Sequence, residues 1–417
     1  MNTKNFTAHS AFTKTLSSII VLLFLFTACS KDSDSPKPTD NKYLVSYEKI
    51  GSYLKSSIII LFTAAKQNYP DIEPLLDSTR YGVDLYKIEY NTVLNGESIV
   101  ASGLVAIPDI NKSFPILSFQ NGTNTSHSNA PTENSSSTNY LLMALMAGNG
   151  YILIIPDYIG FGSSTQFVHP YFVKEPTARS VIDLTFAVRE YLDHYSENAT
   201  YNSTYFLAGY SQGGWATLAT LSEIENNPTE GLSVKAASCG AGAYQLNTMT
   251  EYVLAQQVYA GPHYIPYYLY SHIQNNFLNA DINDYLQEPY ADMIPELFDG
   301  NYSNTEVNDH LSDSLALLLQ PQFINNFETG GEYKSLRDDM ALNSVSAWNT
   351  TTPIRFYHGT VDSLVPPSQS ESMYNSFLEL STDANVEYYE IEGEGHNSGV
   401  YDWGIETVLW FNEILSQ

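Results

Sequence analysis

The stretch Gly209-Tyr210-Ser211-Gln212-Gly213-Gly214 decides the fold of this chain. An apolar run with strand character precedes it, and apolar side chains at helical spacing follow it. A strand, a tight turn and a helix around G-x-S-x-G are typical of a nucleophile elbow, because the sharp turn leaves no room for side chains at Gly209 and Gly213. We therefore interpret Ser211 as a candidate nucleophile, and the alternative is a glycine-rich turn with a solvated serine.

The partners that such a serine needs follow two later strands. A serine hydroxyl attacks only when a base lies in hydrogen-bond reach and an acid orients that base. Asp362 is in the loop after the predicted strand 354–357, and His396 is in the glycine-rich loop after the predicted strand 386–391. Loops at the carboxyl edge of an open α/β sheet form sites. We predict a catalytic triad of Ser211, Asp362 and His396, whose order along the chain is that of α/β-hydrolases.

Each triad partner has a structural alternative, because Asp362 could be a turn former and His396 a surface histidine. His358 shares the loop of Asp362, and we interpret it as a structural histidine that steadies the turn. The other rival histidines lack a position at the end of a predicted strand: His127, His169, His263, His272 and His310. Because no H-E-x-x-H motif, cysteine cluster or phosphate-binding glycine loop is present, we expect neither a metal nor another cofactor.

Backbone N–H groups are expected to form the oxyanion hole. One donor should be Gln212, the residue after the nucleophile. The second should come from the loop after the predicted strand 114–119, where we choose the N–H of Thr123 and keep Asn121 as the alternative.

Strands and helices alternate along the rest of the chain. Asn95-Gly96 joins two alternating segments and predicts a β-hairpin. We therefore predict an α/β fold, with a mostly parallel central sheet, an antiparallel edge and flanking helices. Further strands are expected at 151–155, 205–208 and 234–238, and helices at 46–66, 139–147, 177–195, after Ser211, and at 401–415.

A tyrosine-rich stretch without clear strands, residues 243–348, interrupts this alternation. Such a long excursion between two sheet strands predicts a helical cap inserted late in the sheet. It would divide the core into residues 43–242 and 349–417. Most of the tyrosines, for example in 264–270, should pack the cap's own core, and a few should line a cleft over Ser211.

The first residues have the pattern of an export signal. Lys4 and Lys14 precede an apolar run that is too short to span a bilayer, so we predict a signal peptide over 1–28. Its end, Phe26-Thr27-Ala28-Cys29, resembles the lipobox of bacterial lipoproteins, which implies lipidation of Cys29. Residues 29–42 would then be a polar tether, and the protein would be anchored to the outer membrane, at its periplasmic or cell-surface face. The alternative is an ordinary secretory signal with an incidental cysteine.

Composition limits the partners and the crosslinks. The formal net charge of −28 makes nucleic acid and anionic membrane surfaces poor partners. Once Cys29 is lipidated, only Cys239 remains, so no intramolecular disulfide is possible. We expect Cys239 to be a packed core thiol.

From about residue 81 to residue 415, these motifs together resemble the α/β-hydrolase superfamily. The segment Pro156-Asp157-Tyr158-Ile159-Gly160-Phe161-Gly162, with the elbow and the placement of the cap, is most similar to the secretory-lipase branch known from fungi. The resemblance implies a serine esterase or lipase that hydrolyses small-molecule, lipid or sugar esters, with a cap between the sixth and seventh strands over an acyl pocket. Unlike the fungal proteins, this chain lacks paired cysteines. We interpret Asp157 as a buried residue that holds its loop.

Two other functions remain as alternatives. A serine peptidase of the prolyl oligopeptidase type would share the fold, but no propeller-like repeat of short strands precedes the hydrolase segment. A non-catalytic surface binding lipoprotein on a hydrolase scaffold would be expected to have a broken triad, and this triad is unbroken in sequence.

Overall fold

The computed structural model describes residues 41–67, 72–228, 231–381 and 383–417. The predicted signal peptide lies outside the described residues, as does the predicted tether up to residue 40. Residues 42–44 are hydrogen-bonded to a side chain much farther along the chain. The carboxylate of Glu190 accepts hydrogen bonds from the backbone N–H groups of Lys42, Tyr43 and Leu44 at 2.9, 3.0 and 2.7 Å.

In the described part of the chain, a sheet of nine strands forms the centre of the fold, in the order β1-β2-β3-β5-β4-β6-β7-β8-β9. The pairs β1–β2, β2–β3 and β3–β5 are antiparallel, and the others are parallel. The predicted α/β fold with an antiparallel edge is thus confirmed. The strands are β1 Leu44–Tyr53, β2 Val83–Leu94, β3 Glu97–Pro108, β4 Ser113–Gln120, β5 Ile152–Pro156, β6 Thr200–Tyr210, β7 Val234–Gly240, β8 Ile354–Gly359 and β9 Val386–Ile391.

Helices cover both faces of this sheet. Successive strand residues point to opposite faces, and Phe206 and Leu207 of β6 accordingly belong to two different hydrophobic clusters. The α-helices of the core are α1 Lys55–Ala65, α2 Glu73–Ser78, α3 Thr138–Leu145, α4 Lys174–His194, α5 Gln212–Asn226, α13 Ser368–Leu380 and α14 Gly399–Ser416. Helices α4, α5 and α13 contribute side chains to the cluster of Leu207, and α1, α2, α3 and α14 to that of Phe206.

The predicted hairpin is confirmed. Its turn residues Asn95 and Gly96 have φ angles of 51° and 81°, and a two-residue turn with both φ angles positive matches the twist of the flanking strands. The helix predicted over 46–66 is wrong in its first half, which forms the edge strand β1. Gly51 disfavours a helix there, and tyrosines such as Tyr47 and Tyr53 suit a strand that pairs with β2.

The excursion between β7 and β8 is helical, as predicted. Because the unpredicted β1 precedes the hairpin, this insertion follows the seventh strand of this chain and not the sixth. Two isolated bridges, Val258 to Ser314 and Leu286 to Leu319, are the β pairings of its described residues. Its helices are α6 Leu246–Leu254, α7 Tyr264–Gln274, α8 Tyr290–Leu297, α9 Asn304–His310, α10 Leu315–Leu318, α11 Pro321–Asn326 and α12 Lys334–Asn343. Among all the residues described, no helix has the length and apolar character to cross a membrane.

Candidate active site

The sharp turn expected at Ser211 is present between β6 and α5. Ser211 has φ 61° and ψ −123°, a backbone conformation that residues other than glycine rarely adopt. The flanking glycines are required by close backbone contacts. A Cβ atom at Gly209 would lie 2.2 Å from the carbonyl oxygen of Gly213, and one at Gly213 would lie 1.9 Å from that of Gln120. The turn therefore places Ser211 at the carboxyl edge of the sheet, directly after the end of β6.

We expect Gly213→Ala to lower the free energy of unfolding by about 2–4 kcal/mol, because the added methyl group must displace backbone. Urea unfolding measures the effect. Gly331→Ala is the matched control, since a Cβ at Gly331 has no heavy atom within 4 Å. Equal midpoints and slopes for Gly213→Ala and the wild type would show that the turn is not tightly packed.

The structure brings Ser211, His396 and Asp362 together in one hydrogen-bonded chain. Nε2 of His396 lies 2.8 Å from Oγ of Ser211, and its Nδ1 lies 2.7 Å from Oδ2 of Asp362. The other carboxylate oxygen of Asp362 accepts the backbone N–H groups of Leu364 and Val365, both at 2.9 Å. With Nδ1–H donating to the carboxylate, Nε2 is free to accept the serine proton.

The environment of Asp362 keeps its carboxylate ionised. Burial alone would raise the pKa of Asp362, but hydrogen bonds from His358 and His396 lower it to about 2. His358 lies 3.2 Å from the carboxylate, and its two ring nitrogens also contact Ser370 Oγ at 2.7 Å and the Val365 carbonyl at 2.9 Å. These contacts agree with the interpretation of His358 as a structural residue.

The two residues chosen as oxyanion donors lie beside the serine. Thr123 and Gln212 line a small cavity with Ser211, and a second, larger cavity is lined by Ser211, Thr123 and Asn121. The carbonyl oxygen of Asn121 accepts a hydrogen bond from the hydroxyl of Tyr158 at 3.2 Å. Which backbone group is the second donor stays a prediction.

Side chains of the insertion are hydrogen-bonded to the loop that carries Thr123, and no sequence pattern predicted these contacts. Nδ2 of Asn304 donates to the carbonyl oxygen of Thr123 at 2.8 Å, and Oδ1 of Asn304 accepts from the hydroxyl of Thr125 at 2.9 Å. The hydroxyl of Tyr267 donates to the carbonyl oxygen of Asn124 at 3.0 Å. Since these partners lie more than 100 residues apart, only the tertiary structure joins them.

A buried histidine, His169, supports the side chain of Gln212. Nε2 of His169 lies 2.9 Å from Nε2 of Gln212, and Nδ1 lies 2.8 Å from the carbonyl oxygen of Ile159. Burial lowers the pKa of His169 to about 4, so the ring is neutral at neutral pH and can donate at Nδ1 while it accepts at Nε2. Because His169 follows no predicted strand, its contact with Gln212 could not be predicted from the sequence.

Ser211 opens onto a small apolar cavity of about 60 Å³ beneath the insertion. Tyr264 and Tyr268 are among its lining residues, so a few tyrosines of the insertion do line a cleft over the serine, as expected. The other lining residues are Thr123, Tyr171, Phe172, Gln212, Ala243, Leu246, Met249, Thr250, Val253, Ile265, Met340 and Val365.

Two other residues singled out in the sequence are structural. Asp157 is fully buried and accepts hydrogen bonds from the hydroxyls of Ser102 at 2.5 Å and Thr132 at 2.6 Å. Burial raises the pKa of Asp157, and the hydroxyl donors hold the carboxyl group in its loop. Cys239 is a free, fully buried thiol, as predicted.

Comparisons with known proteins agree with this fold. The model of the family described as secretory lipase matches residues 126–416, which is more than half of the chain. A comparison with curated protein sequences gives no match.

Solved structures of other hydrolases are similar to this chain over most of its length. A candidate hydrolase from Legionella pneumophila is 26% identical, with a TM-score of 0.80, covering 90% of this chain and 99% of that one. The rice cell wall degrading esterase LipA from Xanthomonas oryzae is 22% identical, with a TM-score of 0.74 and coverages of 85% and 92%. Lipase A from Candida antarctica is 13% identical, with a TM-score of 0.60 and coverages of 85% and 77%. These likenesses confirm the α/β-hydrolase fold.

Proposed function

Because the chain belongs to the secretory lipase family and is a carboxylic ester hydrolase, we propose that it cleaves esters through an acyl-enzyme on Ser211. The observation that carries this proposal is the hydrogen-bonded chain from Ser211 through His396 to Asp362, with distances of 2.8 and 2.7 Å. Membership of the secretory lipase family favours ester hydrolysis over the peptidase alternative.

The proposed reaction has two halves. Oγ of Ser211 attacks the ester carbonyl carbon while Nε2 of His396 takes the hydroxyl proton. The tetrahedral intermediate collapses, the bond to the alcohol oxygen breaks, and His396 gives that oxygen the proton. Water then attacks the carbonyl carbon of the acyl-enzyme while Nε2 of His396 takes a proton from it. His396 returns this proton to Oγ of Ser211 as the bond to the acyl group breaks and the acid is released. Asp362 holds the imidazole in the required tautomer throughout and stabilises its protonated form.

The oxyanion of each tetrahedral intermediate needs fixed donors. We assign the backbone N–H groups of Gln212 and Thr123, with Asn121 as the alternative second donor. Two contacts support this choice, since His169 fixes the side chain of Gln212 and Asn304 fixes the carbonyl group of Thr123. Donors that are held before the reaction stabilise developing charge without reorganisation in the transition state.

A fluorophosphonate probe tests the nucleophile directly. We expect the native protein to be labelled on the peptide that contains Ser211, with a bond formed between Oγ and phosphorus and fluoride released. Peptide mass spectrometry locates the label, and heat-denatured protein, in which the chain from Ser211 to Asp362 is broken, is the control. Labelling of a different serine, or equal labelling after denaturation, would contradict the proposed role.

We also propose that the protein is exported and held on the outer membrane by lipid on Cys29. The family suggests an exported protein, and the segment that ends in Cys29 resembles a lipobox. Several acyl chains on one residue hold a protein firmly, whereas a single chain does not.

We expect Cys29→Ser to move the protein from the membrane fraction to the soluble fraction of the cell and to remove labelling by radioactive palmitate. Ser30→Ala, beside the cysteine, is the control and should keep both properties. A Cys29→Ser protein that stays in the membrane fraction would support the alternative of an incidental cysteine.

A further inference from the structure

A second cavity of about 730 Å³ also reaches Ser211, on the side of His396. Its walls are α3 and α14, and its floor includes Leu117 of β4, Leu153 of β5 and Ala208 of β6. We define the α3–α14 groove as the space between these two helices over that floor.

The residues that face the groove follow helical spacing on both walls. On α3 and just after it they are Asn139, Tyr140, Leu142, Met143 and Met146, and on α14 they are Val400, Tyr401, Trp403, Gly404, Ile405, Thr407 and Val408. Positions three and four apart share one side of a helix, so each helix presents a continuous stripe to the groove.

The side chains of both stripes become less polar with distance from Ser211. The polar residues Asn139 and Asn397 lie at the N-terminal ends of the walls, near the catalytic loops, together with Asn304 of the insertion. Farther along each helix the facing side chains are mostly apolar, for example Met146 and Val408. The groove therefore suits a ligand that is polar near the reacting bond and apolar beyond it.

The direction of the reaction assigns the two cavities to the two halves of an ester. In the proposed mechanism His396 gives its proton to the departing alcohol oxygen, so this oxygen must lie beside Nε2 of His396. Ser211 and Thr123 line both cavities, whereas His396 lines the α3–α14 groove and Gln212 lines the small cavity. The alcohol half therefore extends into the groove, and the acyl half enters the small cavity.

The volumes of the two cavities then limit the sizes of the acyl half and the alcohol half of the substrate. A cavity holds one water for about 10–15 Å³ of its volume, so the small cavity of about 60 Å³ holds roughly four to six atoms of methylene size. The groove, with about 730 Å³, has ample room for a longer chain. From Asn139 to Met146 it runs for about 10 Å along the helix axis.

We propose that the substrates are esters with a short acyl group and an alcohol half that carries a hydrocarbon chain, which lies in the α3–α14 groove. This proposal rests on the proposed function of Ser211 and His396. It assigns a binding site for the leaving half of the substrate and a substrate class with unequal halves.

Two series of simple esters test the assignment. Along alkyl acetates from methyl to hexyl, we expect kcat/KM of the wild type to rise about two- to fourfold for each methylene that the groove buries. Along methyl esters of straight-chain acids, we expect kcat/KM to fall once the acyl chain exceeds about six carbons. A flat response to alcohol length would mean that the groove is closed to substrate or filled by something else, and it would overturn the proposal.

Variants locate the effect within the molecule. Met143→Trp and Val400→Trp fill the groove from opposite walls, and each should lower the ratio of kcat/KM for hexyl and methyl acetate at least tenfold. Thr138→Trp, at an exposed position of α3, is the matched control and should keep the wild-type ratio. Wild-type ratios in both folded groove variants would overturn the proposal. Absence of hydrolysis of methyl acetate by the wild type, together with no labelling of Ser211, would instead overturn the proposed function.

Discussion

Ser211→Ala should lower kcat for ester hydrolysis by roughly 10⁴- to 10⁶-fold, because without Oγ no acyl-enzyme can form. His396 would then have no hydroxyl to deprotonate, and only substrate binding and the oxyanion donors would remain. Steady-state kinetics with a p-nitrophenyl ester measures the loss. The change removes a single oxygen atom at a partly exposed position, so we expect little change in the free energy of unfolding.

Two controls separate chemistry from folding. Ser222→Ala removes a hydroxyl from α5, the helix that follows the turn, and should have wild-type kinetics. Circular dichroism should give the same spectrum and melting temperature for both variants and the wild type. A folded Ser211→Ala protein that retains more than about 1% of the wild-type kcat would show that the nucleophile is another group.

Asp362→Asn should lower kcat by roughly 10⁴-fold with a small effect on KM, because an amide cannot hold the imidazole of His396 in the same tautomer or stabilise its charged form. The Asn side chain has nearly the same shape, so its oxygen can still accept the N–H groups of Leu364 and Val365. The same kinetic assay measures this loss. His358→Gln changes the other histidine that contacts Asp362 and is the comparison. If it lost as much kcat as Asp362→Asn, the roles assigned to His358 and His396 would be wrong.

Asp362→Asn should also change how the free energy of unfolding depends on pH in the acid range. The pKa of Asp362 in the folded protein is lowered to about 2, so its ionisation stabilises the fold above the unfolded-state pKa near 4. That stabilisation, about 2 kcal/mol, is lost as the pH falls from about 4 to about 2. The difference in unfolding free energy between the wild type and Asp362→Asn should therefore shrink by about that amount between pH 6 and pH 2. A constant difference would contradict the low pKa.

The features that the sequence predicted are those in which chemistry and backbone geometry act locally. Gly209 and Gly213 mark a turn because close backbone contacts exclude side chains there, and Asn95-Gly96 marks a hairpin because both residues tolerate positive φ angles. Asp362 and His396 could be placed because a strand precedes each of them and the ends of parallel strands meet at one edge. All four features can be read within about ten residues of the chain.

The features that the sequence missed depend on partners far along the chain. The tyrosines of the edge strand β1 suit a strand, but its pairing with β2, which decides the structure, is not visible in the residues of β1 alone. His169 contacts Gln212 from a loop with no strand before it. The α3–α14 groove depends on the spacing between two helices that are separated by more than 250 residues, and no local pattern encodes such a spacing.

The hydrogen bonds from the insertion to the loop of Thr123 restrict how this enzyme can be recombined. An exchange of the segment between β7 and β8 for that of a relative would remove Asn304 and Tyr267, and with them the groups that hold the carbonyl oxygens of Thr123 and Asn124. A chimera with a new insertion would then lose rate as well as changing its substrate preference. The insertion and this loop must therefore be exchanged together, although the three strands β5, β6 and β7 lie between them in sequence.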